Sequence, residues 1–189
     1  IECDLRNTDS VINSLGKLNF DFIFHLAAYN HVGDSFKYVK ETIDSNLYST
    51  INILNNGPKY QNFIHMGTSE IYGFQKKSPF SEKSIPEPNS PYAISKYASE
   101  GFELLKKKET NKNILLIRPF NTFGTWQSEK AIIPEIIIKC LKNESIKTTP
   151  GLQEREFNFV SNIIKNFLYL SIKKNNYKYK YPINVGSGK

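Results

Sequence analysis

Short apolar runs alternate with stretches whose apolar residues recur at helical spacing, and this alternation constrains the chain more than any other feature. Residues 22–26, 63–66 and 114–117 are brief, almost wholly apolar runs and read as buried strands. Residues 183–185 read as a shorter strand. Between the first two runs, Phe36, Val39, Ile43, Leu47, Ile51 and Leu54 fall on one helical face, and Gly57-Pro58 stops that helix. Ser90-Pro91 opens another, over about 92–108, with proline in the first turn where its missing N–H is not needed. Further helices are expected over 133–141 and 163–172, and the 114–117 strand is expected to end before Pro119. Strands separated by helices imply a parallel sheet with helices on both faces. The expected fold class is therefore α/β, a doubly wound parallel sheet.

Composition narrows the setting. The chain has 189 residues, 39% of them hydrophobic and 13% aromatic, enough to bury a core. No apolar run approaches the roughly 20 residues that span a bilayer, and Ile1-Glu2-Cys3-Asp4 has no signal-peptide pattern. Cys3 and Cys140 are the only cysteines, which argues against a disulfide framework and for a reducing cytoplasm. The net charge of +7 comes from scattered lysines and short groups such as Lys106-Lys107-Lys108 and Lys173-Lys174. No basic-aromatic RNA motif accompanies them, so neither nucleic acid nor a membrane is expected as a partner. A basic balance of this kind also attracts a doubly charged anionic substrate. His25, His31 and His65 lack metal-ligand spacing, and no metal is expected.

The chemistry concentrates around Tyr92-Ala-Ile-Ser-Lys96. Residues four apart share a helix face, so the Lys96 ammonium is expected beside the Tyr92 phenol. A cation there favours phenolate and lowers the phenol from about 10 toward the working range. Such a phenol can take a proton from a sugar hydroxyl while hydride leaves the same carbon. Thr68 supplies a third donor, and a cofactor must accept the hydride.

Tyr-xxx-Lys alone is a weak signal; order makes it specific. His25-Leu26-Ala27-Ala28, Asn46, Thr68-Ser69-Glu70-Ile71-Tyr72-Gly73, Ser90-Pro91-Tyr92-Ala93-Ile94-Ser95-Lys96, Arg118-Pro119-Phe120-Asn121-Thr122-Phe123-Gly124 and Asn184-Val185-Gly186-Ser187-Gly188 follow one another. This series resembles the extended short-chain dehydrogenase/reductase family, the NAD-dependent nucleotide-sugar epimerases and dehydratases. The resemblance implies a Rossmann-like sheet, NAD as cofactor, a nucleotide-sugar substrate, and a homodimer through two long helices, one of them the Tyr92 helix. No Gly-rich turn of the dinucleotide fingerprint occurs near the start. The chain is accordingly expected to be an internal piece without the first βαβ unit, with residues 1–130 a partial NAD-binding domain. Residues 131–189 are then part of a small substrate-binding region interleaved with the last Rossmann elements.

The resemblance also implies residue roles. Asp4 and Leu5 stand beside the adenine, and Leu26, Ala27 and Ala28 line the cofactor groove. His25 is read as structural, and Asn46 as a tie between helix and strand. Tyr92 is the base at the C4 hydroxyl, and Lys96 its partner and a ribose ligand. Thr68 binds the same sugar oxygen, and Pro119 borders the nicotinamide. Asn121 and Arg155 face the substrate diphosphate, and Arg118 orders the site. Glu70, two residues after Thr68, resembles the acid of the 4,6-dehydratases: after C4 oxidation a carboxylate over C5 removes the acidified proton, with Ser69 aiding proton delivery as water leaves C6. Several positions depart from the family pattern, among them Gly33-Asp34, Thr125-Trp126, Glu156 and Asn162. Trp126 is open to stacking on a base or sugar or to packing in a loop.

The leading expectation is an NAD-dependent nucleotide-sugar 4,6-dehydratase of surface-glycan biosynthesis. The closest group is the dehydratases of N-acetylhexosamine nucleotides on the legionaminic-acid-type route. The alternatives are a 4-epimerase, which needs no acid at Glu70, a UDP-glucuronate decarboxylase, and a noncatalytic nucleotide-binding protein on the same fold.

Overall fold

The apolar runs become strands and the periodic stretches helices, in a computed structural model that describes residues 1–75, 79–110, 112–148, 150–151, 155–173 and 182–188. The order is α1 (Thr8–Leu15), β1 (Asn19–His25), α2 (Val32–Ser35), α3 (Val39–Ile43), a π-helical turn (Asp44–Tyr48) and α4 (Ser49–Asn56). Then come β2 (Lys59–Met66), a 3-10 turn (Ser69–Tyr72), α5 (Pro91–Thr110), β3 (Asn113–Pro119) and β4 (Asn121–Phe123). α6 (Ile132–Leu141), β5 (Phe157–Phe159), α7 (Val160–Ile172) and β6 (Ile183–Val185) complete it. Strands β1, β2, β3 and β6 pair in that order, all parallel, and β4 pairs with β5 in a separate parallel ribbon.

Alternation along the central strands feeds two cores. Phe63, Ile114 and Leu116 meet Ile53 and Leu54 of α4, with Leu104 of α5 packed alongside. Their neighbours Ile64, Leu115 and Ile117 meet Ile163 and Phe167 of α7 on the opposite face. Strands β2 and β3 are thus covered on both sides, as the centre of a parallel sheet requires.

Three elements differ from the sequence reading. The helix expected over 36–54 is interrupted: α3 passes through a π-helical turn before α4. Here the Asn46 carbonyl accepts from the hydroxyls of Thr50 (2.7 Å) and Ser99 (2.9 Å). β1 is not a buried strand: Phe20, Phe22 and Phe24 are exposed, because β1 is an outer strand of the four. β3 runs through Pro119, which sits opposite Val185 at the end of the ladder, a place where its missing donor is tolerated.

Candidate active site

Strand register assembles the site. His25 lies opposite His65, and Met66 opposite Ile117. Leu26-Ala27-Ala28 and Thr68-Ser69-Glu70 therefore leave the sheet along its carboxyl edge, where Arg118-Pro119 end β3. Open α/β sheets bind ligands at that edge. Leu26, Ala27 and Ala28 are exposed there. Asp4 lies in the loop that opens α1, where its carboxylate takes two hydrogen bonds from the Arg6 side chain, both 2.9 Å. Those bonds hold Asp4 down at about 2. Leu5 packs on the core beneath.

Thr68 caps the 3-10 turn by accepting from the Glu70 N–H at 3.2 Å. Its hydroxyl lies close enough to act on Tyr92, which is only 8% exposed. Burial pushes the Tyr92 phenol up, the Thr68 hydroxyl pulls it back, and the Glu70 charge adds to the rise. Ser69 and Glu70 are partly exposed beside this pair. The helix starts here because the Ser90 hydroxyl accepts from the Ala93 N–H at 3.1 Å and Pro91 occupies the first turn.

Lys96 does not lie as the sequence implies. Its Nζ is 2.5 Å from His65 Nε2, and His65 Nδ1 is hydrogen-bonded to Glu103. The reason is electrostatic: Lys96 is 3% exposed, and a buried ammonium turns to the nearest available anion. Glu100, one turn along, is already taken by Arg118, which leaves Glu103, reached through the imidazole. Burial lowers Lys96 to about 8, opposed by the charges of Glu103 and Glu100. Burial raises Glu103 strongly and drives His65 down, with Lys96 adding to the effect on His65.

A second polar cluster supports the first. The Arg118 guanidinium donates to Glu100 from Nε and Nη2, the latter at 2.6 Å, and from Nη1 to the Tyr72 hydroxyl at 2.9 Å. Tyr72 in turn donates to Asn184 Oδ1 at 2.7 Å. Gly67 makes room for this pairing, since a Cβ there would meet Glu100 Oε1 at 2.8 Å. Asn46 accepts from the Tyr29 N–H at 2.7 Å and donates to the Ser95 hydroxyl at 2.9 Å. It therefore ties the π-helical turn to the loop after β1 and to α5, rather than to a strand. His25 is buried against Thr50, 2.9 Å away, as its structural reading requires. Burial lowers it to about 3.

Pro119 ends β3 at the same edge, and Asn121 opens β4 opposite Phe157. Arg155 is exposed, its guanidinium 5.8 Å from the Phe74 ring centre. Gln153 and Glu154, the start of its motif, lie outside the described residues. Trp126 does not pack in its loop: it is fully exposed, at φ 67°. Among the described residues no group of three or more His, Cys, Asp or Glu could hold a metal, and no helix is long and apolar enough to cross a membrane.

Sequence reasoning missed His65, Glu100 and Glu103. The signal was present for the two acids, which follow Lys96 by four and seven residues on the same helical face.

Tyr92 beside Thr68, the buried Lys96 and the nearby Glu70 lie at the carboxyl edge of a parallel sheet, and the fold is of the doubly wound α/β class. Within that class, the chain belongs to the NAD dependent epimerase/dehydratase family, whose model matches residues 1–186. It is 31% identical to dTDP-D-glucose 4,6-dehydratase of Bos taurus, over 78% of this chain and 42% of that protein. The structure of Pal from Bacillus thuringiensis matches with a TM-score of 0.89 and 26% identity, covering all of this chain and 62% of that one. UDP-glucuronic acid 4-epimerase from Bacillus cereus, solved with UDP-glucuronic acid and NAD, matches with a TM-score of 0.85 and 26% identity, over 98% of this chain and 59% of that one. The chain thus spans less than half the length of the curated relative.

The residues present fit the nicotinamide-ribose end of NAD. Small exposed side chains at Ala27 and Ala28 allow close approach to the backbone, whereas the Lys96 ammonium is turned inward to His65. Residues for the pyrophosphate are not identified among those described.

Proposed function

We propose that this chain carries the catalytic residues of a nucleotide-sugar 4,6-dehydratase, with 1–130 its partial cofactor domain and 131–189 part of its substrate region. The observation that carries the reading is Glu70, set by the Thr68-capped 3-10 turn close enough for its charge to be felt at Tyr92. An epimerase has no use for an acid there. The name of the bovine relative supports the same reaction class. NAD, when bound, would supply hydride acceptance from C4 and hydride donation to C6. Tyr92, beside Thr68, takes the C4 hydroxyl proton. Glu70 removes the C5 proton and Ser69 assists departure of water from C6. Lys96 binds ribose, Asp4, Leu5, Leu26, Ala27, Ala28 and Pro119 border the cofactor, and Asn121 and Arg155 bind the diphosphate, for which a guanidinium is well shaped. The reading extends to an N-acetylhexosamine nucleotide of the legionaminic-acid type as substrate, to surface-glycan synthesis in the cytoplasm, and to a homodimer through α5.

The test is mass spectrometry of the full chain with NAD and UDP-, GDP-, CDP- and dTDP-sugars. Loss of one water is expected from one of them, with a 4-ketone trapped by borodeuteride. Glu70→Gln should slow water loss by about 10²–10⁴-fold while the unreduced 4-keto hexose still forms. An isobaric product from the unaltered protein would make it an epimerase instead.

A further inference from the structure

The role of Lys96 rests on the reading above, but what faces it does not. Nζ of Lys96 meets Nε2 of His65 at 2.5 Å, and the far nitrogen of the same ring is bonded to Glu103 Oε1. All three groups are shielded from solvent, His65 and Glu103 completely. Among the described residues no other acid bonds to His65, and Glu103 Oε2 is buried without a hydrogen-bond partner. A core that needed only packing would not place a carboxyl group there, because an unpaired buried oxygen is costly.

We propose that Glu103 and His65 are positioning residues that set the charge of Lys96 through a closed proton relay. The line of atoms has two states with the same number of protons. In one, Lys96 is an ammonium donating to His65 Nε2, and His65 Nδ1–H donates to the Glu103 carboxylate. In the other, a proton has passed from Nζ to Nε2 and another from Nδ1 to Oε1. This leaves a neutral amine, a neutral imidazole of the other tautomer and a carboxylic acid. Between these two states no proton is exchanged with solvent and the net charge is unchanged; raising the pH then removes one proton from either state and leaves a neutral amine, a neutral imidazole and the Glu103 carboxylate. The first state supplies a cation to the cofactor edge; the second relieves the burial of two charges and suits a carboxyl group with one unpartnered oxygen. Burial acts in that direction on both ends, holding Lys96 at about 8 and Glu103 well above the usual carboxylate range.

The other groups that face the relay are identifiable. On α5, Glu100 favours the charged lysine but is neutralised by Arg118 of β3. On β1, the His25 ring stands edge-on to His65 at 5.2 Å and is itself held neutral. On β2, Tyr60 feels the Glu103 charge and is raised, chiefly by burial, to about 12, so it stays protonated. Tyr92 stays protonated as well in the free site, its phenol raised by burial. Glu103 is therefore the one uncompensated acid that Lys96 senses among these groups.

The experiment is NMR of the full chain without NAD or substrate, using ¹³C-labelled lysine and ¹⁵N-labelled histidine, with Lys96→Arg to assign the lysine signal. Lys96 should titrate near 8, and the His65 ring nitrogens should report the same midpoint while the ring stays neutral. Glu103→Gln keeps the shape and a carbonyl acceptor for Nδ1–H but removes the anion, so the Lys96 midpoint should fall by about one to three pH units. A merely structural role would leave that midpoint in place. An unmoved midpoint in folded Glu103→Gln overturns the proposal. So does a His65 signal in the unaltered protein that ignores the Lys96 titration, a result that needs no variant to fold. Neither outcome bears on the dehydratase reading, because no sugar is turned over.

Discussion

Helices α5 and α6 use the same residue types in opposite ways. α5 buries Lys96, Glu100 and Glu103 and leaves Ile94, Tyr97, Phe102 and Leu105 exposed. α6 is rich in isoleucine yet has no buried residue, and Ile132, Ile137 and Leu141 face outward. The difference shows that an apolar stripe marks which side of a helix seeks cover, not which side sits on the sheet. The buried side of α5 is polar because it builds the site. It holds together through ion pairs and hydrogen bonds that have almost no water to replace them.

The contrast can be broken most sharply at Glu100. Removing one partner of a buried ion pair leaves the other charge uncompensated, so Glu100→Ala should cost about 3–5 kcal/mol in chemical denaturation. A loss below about 1 kcal/mol, the scale of an exposed pair, would mean that Arg118 finds water or another partner. Asn46 tests the same region with neutral groups. Asn46→Ala strands the Tyr29 N–H and should cost about 1–3 kcal/mol, with hydrogen exchange at that amide speeding up first. On α6, Ile137→Ser should change stability by less than about 0.5 kcal/mol, as exposed substitutions do. A larger loss would show that something covers α6 in solution.

Much of this architecture was legible before any coordinates. The runs at 63–66 and 114–117 became central strands of a parallel sheet, and Ser90-Pro91 opened α5 where expected. The site motifs were legible as a set, because Thr68, Tyr92 and Lys96 are recognised by order and spacing. The break at Asp44–Tyr48 was not, since the apolar residues on either side keep helical spacing through it. The exposure of β1 was also hidden, because a strand's apolar residues do not say whether it lies inside a sheet or at its border.

By itself the sequence determined the parallel α/β layering and the placing of Thr68, Ser69, Glu70, Tyr92 and Lys96 near one sheet edge. Those properties follow from local periodicity, from caps and from the order of elements. Only the tertiary structure decided that Lys96 turns to His65, a residue 31 positions away on another element, and through it to Glu103. A helix places its own neighbours by spacing alone, but a buried charge chooses its partner by distance and desolvation, and both are set when β2 and α5 come together.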